Sequence, residues 1–139
     1  MTKHPQIRTS IDTIQNLVLH HVIGPIETQE IIDVLLCIAR SKANMEETRI
    51  LWDMREAVFD WNLSAVTWLS EAAQAVARTR GAPAKFAVVV EKQLDFDTAR
   101  RLELVNGHAI PLRVFRDYEE GLEWVGDGQV EKADSSSRG

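Results

Sequence analysis

Apolar and polar residues alternate at the start of the chain, with Ile7, Thr9 and Ile11 set against Arg8 and Ser10. That is the period of a half-exposed strand. A polar break over 12–16 separates it from a second strand, Leu17 to Ile23, closely enough for an antiparallel hairpin. Gly24-Pro25 marks the stop. From Thr28 to Ser41 the period changes. Ile31, Ile32, Leu35 and Ala39 fall within a narrow arc at about 100° per residue, so a helix capped by Thr28 turns them inward and leaves Asp33, Cys37 and Arg40 outside. Arg49 to Met54 predicts a third strand. A helix opened by Asp60 or Asn62 runs to Arg80, with Val66, Leu69, Ala73 and Val76 as its main stripe and Gly81 and Pro83 beyond it. Phe86 to Val90 is uninterruptedly apolar, as in a strand covered on both faces. Asp95 or Asp97 caps the next helix, which carries Ala99, Leu102 and Val105 and ends near Gly107. Leu112 to Phe115 is the last strand. The Asp117-x-x-Glu120 step, a variant of the capping box, opens a short helix with Leu122, Trp124 and Val125.

The order is β-β-α-β-α-β-α-β-α. Strands alternating with helices imply right-handed crossovers and an α/β fold with a five-stranded, mostly parallel sheet, its first strand an antiparallel edge. The pattern predicts one domain over residues 6–125. Residues 126–139, with Ser135, Ser136 and Ser137 in a row and only Val130 and Ala133 apolar, have too little to bury and read as a disordered tail.

Composition narrows the function classes. Sixteen Lys and Arg against 21 Asp and Glu give a net charge of −5, which opposes general nucleic-acid binding. A single cysteine excludes an internal disulfide. Neither a secretory signal nor a membrane-spanning stretch is readable, so a cytoplasmic setting is expected, with Cys37 a free thiol. His20 and His21 point to opposite faces of their strand and cannot chelate one ion together. No nucleophile elbow and no phosphate-binding glycine loop occurs. No metal and no cofactor is expected.

The segments Arg49-Ile-Leu-Trp-Asp-Met-Arg-Glu-Ala57, Ala87-Val-Val-Val90 with Leu94-Asp95-Phe96, and Leu112-Arg-Val-Phe-Arg-Asp-Tyr-Glu-Glu-Gly-Leu-Glu-Trp124 resemble the SpoIIAA-like (STAS-like) group. That fold is shared with CRAL-TRIO lipid-binding domains. The resemblance spans about residues 6–125 and implies strands in sequential order, 1-2-3-4-5. It offers two functional templates. In anti-sigma antagonists a phosphorylatable serine sits in an Asp-Ser-x-Gly segment after the third strand. Here Asp60 matches the aspartate, but Trp61 stands where the serine would be and no glycine follows. The second template is a hydrophobic ligand or membrane contact near the same corner.

Two constellations stand out in the residues themselves. Asp53 and Arg55, two apart on a strand, share a face near its carboxyl end, where open α/β sheets bind ligands. Glu91, Arg116 and Asp117 fall at the corresponding ends of the next two strands. The plainer reading is a structural ion pair and a helix cap. Trp61 and Trp68, with Phe59 nearby, are seven apart. In a helix they form a second apolar side with Ala65 and Ala72, offset from the core stripe. Such a side suits a partner surface, a ligand lid or an interfacial anchor, or else a helix packed on both faces. Few Lys or Arg lie nearby for anionic lipid.

The expected site is therefore the corner of Asp53, Arg55, Asp60, Trp61 and Trp68, with Arg116 beside it. The indoles would supply apolar contact and the charged pair would fix a polar group. The expected function is a non-enzymatic regulatory or binding module for a protein partner. The alternative is a carrier or sensor of a small hydrophobic ligand or lipid with peripheral membrane contact. A homodimer through the edge strand or the outer face of the first helix is a further option.

Overall fold

In the computed structural model, residues 6–41 and 45–126 are described; of the tail expected over 126–139, Gly126 ends the last helix and the rest lies outside the described residues. Five strands form one sheet in the order β1-β2-β3-β4-β5. They are β1 (Gln6–Asp12), β2 (Leu17–Pro25), β3 (Arg49–Val58), β4 (Lys85–Val89) and β5 (Leu112–Phe115). The first two pair antiparallel and the rest parallel. The helices are α1 (Thr28–Ala39), α2 (Leu63–Arg80), α3 (Gln93–Asn106) and α4 (118–126), with a single 3₁₀ turn at Met45–Glu47.

The sequential strand order decides the layering. Right-handed crossovers that never reverse direction put every crossover helix on the same side of a sheet. Accordingly α1, α2 and α3 cover one face, where Val22, Ile50, Trp52, Val66, Val88 and Leu102 form the larger core. The other face holds Leu17, Leu51, Ala87, Val89 and Phe115, covered by α4 through Tyr118, Leu122, Trp124 and Val125. The unbroken apolar run of β4 follows from this: alternate residues serve two cores.

Several boundaries differ from the sequence expectation. β2 and β3 both run on, to Pro25 and Val58, because they pair with each other beyond the end of β4. Gly24 adopts φ +91°, a region open to glycine, and β2 ends on the Gly24-Pro25 step, both residues still pairing with β3. The cap of α1 is Glu27 and not Thr28. Glu27 is extended, its side chain accepts from the Glu30 N–H, and the Glu30 carboxylate accepts from the Glu27 N–H at 2.9 Å. Likewise α3 starts at Gln93, earlier than a cap at Asp95 or Asp97 allows. Asp95 lies inside the first turn, where its charge suits the helix dipole, and Asp97 accepts from the Gln93 amide. Val105 is exposed and not part of the core stripe.

Candidate functional site

The sheet divides the expected corner in two. Asp53 belongs to the α4 face, because Trp52 and Met54 on either side of it fill the opposite core. A register shift between β2 and β3 follows: His21 pairs with Asp53, but Ile23 pairs with Glu56. A bulge of this kind re-aims side chains. Here it gathers His21, Asp53, Arg55 and Glu56 into one polar cluster.

The cluster is internally satisfied. Arg55 donates from Nε to Asp53 Oδ1 at 2.8 Å and from Nη2 to Oδ2 at 2.9 Å, and its backbone N–H reaches Oδ1 at 3.2 Å. Its guanidinium stacks over the Tyr118 ring, 4.6 Å from the centroid. His21 Nε2 lies 2.7 Å from Glu56 Oε2 and 3.9 Å from Asp53 Oδ2. Burial pushes the Asp53 carboxyl up, but the hydrogen bonds and charge of Arg55, with His21 adding, outweigh it and hold the group below its ordinary range. The Asp53 hydrogen bond, with Tyr118 and Glu91 adding, keeps Arg55 still more firmly protonated against partial burial. Asp53 and Arg55 thus form the ion pair that their spacing predicts. Tyr118 completes it from α4, a partner that strand periodicity cannot reveal.

Arg116 stands apart from that pair. It is exposed after β5 and donates to Gln93 Oε1 at the start of α3. Asp117 accepts from the Glu119 N–H at 2.8 Å and so opens α4. Asp60 is exposed in the turn before α2.

The two tryptophans do not share a helical side. Asn62 is the cap of α2, its Oδ1 accepting from the Ala65 N–H at 2.8 Å, so Trp61 precedes the helix and escapes its period. Trp61 is only 5% exposed. It packs edge-on against Phe59, ring centroids 4.7 Å apart at 81°. Beneath it is a cavity of about 30 Å³ lined by Trp52, Met54, Leu69 and Val88 among others. That is space on the scale of a single water. Trp68, by contrast, is 61% exposed on the outer side of α2. Leu63 at 58% and Val58 at 67% are exposed along the same stretch of chain. All three lie toward the carboxyl-end rim of the sheet.

The arrangement belongs to the SpoIIAA-like class of folds. The structure is similar to that of an uncharacterised protein of the DUF3478 family with a SpoIIAA-like fold from Shewanella loihica PV-4. The TM-score is 0.57 and the identity 16%, over 90% of this chain and 98% of that one. The resemblance read from the strand motifs is therefore borne out as a shared fold. No family model and no curated protein matches the sequence. Among the described residues no helix is long and apolar enough to cross a membrane.

Proposed function

We propose that this protein is a non-catalytic binding module of the cytoplasm. Its partner is a second protein, which docks at the outer face of α2 around Trp68. The observation that carries the reading is the exposure of that indole, 61%, on the outer side of α2. Tryptophan offers a large, rigid contact area and dominates many interfaces when it enters a partner's pocket. Asp60 and Glu71 are exposed nearby and the chain carries −5 overall. The partner surface that fits is an apolar pocket bordered by Lys or Arg. The same acidic surround disfavours anionic lipid. The polar cluster at Asp53 supports a structural role, since its charged groups are committed to one another. The exposed Cys37 thiol suits a reducing compartment.

The test keeps Trp68, places a photo-reactive benzophenone amino acid at the exposed position 64 one turn before it on the same side of α2, identifies the cross-linked protein, and measures its affinity for the purified domain. Trp68→Ala is expected to weaken that affinity by at least about thirtyfold, the scale of a hot-spot residue. Equal binding by the variant, or no cross-link at position 64, would refute the reading.

A further inference from the structure

The sheet has two edges, and they are protected differently. β5 has only four residues. The N–H of its Val114 is taken by the Glu103 carboxylate of α3 at 2.6 Å, so that edge is partly closed by the protein itself. β1 has seven residues and pairs with β2 at every one of them without a shift in register, so no bulge turns it aside. It contains no Lys and no Pro. Its connection to β2 is a hairpin, which supplies no helix to cover it, and Thr9, Ser10 and Ile11 are exposed. An open edge of this kind is a template for another strand.

The charges of β1 select which strand. Arg8 and Asp12 are four apart, so alternation puts them on one side of the strand with Ser10 midway between. The Arg8 side chain has no hydrogen bond or ion pair among the described residues. Asp12 is held in place, its Oδ1 accepting from the N–H groups of Ile14 and Gln15 at 3.0 and 3.1 Å. Its Oδ2 accepts only from the Gln15 side-chain amide, at 3.2 Å, and keeps a lone pair for a further donor. A strand that pairs antiparallel with its own copy does so about a two-fold axis, so each contact occurs twice. An axis through Ser10 sets Arg8 opposite the partner's Asp12, and Asp12 opposite the partner's Arg8. An axis through Arg8 would set two guanidiniums face to face, which is unfavourable, and one through Thr9 would leave Arg8 opposite a serine.

We propose that β1 pairs antiparallel with β1 of a second copy of the chain about an axis at Ser10, two Arg8–Asp12 ion pairs fixing the register of one sheet continuous through both copies. On the other side of the strand this register lays the partner's Thr9 against Ile11, an apolar side chain 68% exposed in the single chain. The proposal does not rest on the Trp68 surface, and either can fail without the other.

Sedimentation of the full chain over a concentration series is expected to show a monomer–dimer equilibrium that weakens as salt rises. Arg8→Asp sets like charges opposite one another at two places and should weaken dimerisation at least about tenfold. Asp12→Arg should do the same. An equal mixture of the two variants should recover dimers, because in the mixed pair every such contact again joins opposite charges. Ser10→Cys in a Cys37→Ser background, which removes the native thiol, should cross-link to its own copy on mild oxidation. Should Asp12→Arg disturb the hairpin turn, Arg8→Asp and the Ser10→Cys cross-link still decide. A chain that stays monomeric at every concentration would overturn the proposal. So would a dimer untouched by Arg8→Asp, a mixture of the two folded variants that stays monomeric, or a dimer that Ser10→Cys fails to cross-link.

Discussion

His20 is where a single side chain most affects how stability responds to pH. Burial lowers its pKa to about 4, against an ordinary value of 6.5. Between those values the unfolded chain binds a proton that the folded protein refuses, so stability falls as pH falls through this window and levels off below it. Denaturant unfolding at pH 7.5 and pH 5 should differ by about 2 kcal/mol from this residue. His20→Gln should flatten that difference. Asp53 has the opposite kind of charge but the same sign of effect, in a lower window: its held-down pKa contributes stability that is lost only below the ordinary carboxylate range. The tryptophans offer a second contrast. Trp61→Ala empties a core position and should cost about 3–5 kcal/mol. Trp68→Ala removes an exposed side chain and should change stability by no more than about 0.5 kcal/mol. Sequence spacing could not separate the two, because seven residues means one shared side only if both lie in the helix, and the cap at Asn62 leaves Trp61 out.

Helix ends and close approaches govern the elements. The Asn62 cap is expected to contribute about 1 kcal/mol, read as the loss of stability in Asn62→Ala. Gly121 lies in α4 where it presses on the sheet. A methyl group there would stand 2.8 Å from Val89 Cγ2 and 3.4 Å from Phe115 Cδ1. Gly121→Ala should therefore destabilise the protein by about 1–3 kcal/mol in thermal or denaturant unfolding, through overpacking. Element types were legible because periods of 2 and 3.6 recur along the chain, and β5 was read to its full extent. Boundaries were less so. Whether β3 stops at Met54 or at Val58 depends on pairing with β2, which no local pattern encodes. The cap of α1 was hidden for a similar reason: Glu27 is a weaker sequence signal than Thr28, yet it has the extended backbone and the reciprocal bond to Glu30.

For the whole molecule, the sheet itself is the organising surface. The strand motifs pointed to the SpoIIAA-like fold, and sequential strand order follows from it. What the motifs left unread is which side of the sheet each candidate residue occupies. Asp53 and Arg55 pair with one another, while Trp61 lies across the sheet from them. The bulge between β2 and β3, which gathers His21 and Glu56 around that pair, has no sequence signature of its own. The proposed docking face is thus one helix side at the sheet's rim, anchored by Trp68. Backbone hydrogen exchange of the domain, free and bound to the protein cross-linked at position 64, tests this most directly. Slowed exchange is expected across residues 58–72, with α4 unchanged. Slowed exchange over α4 or at His21 and Glu56, with 58–72 unaffected, would contradict it.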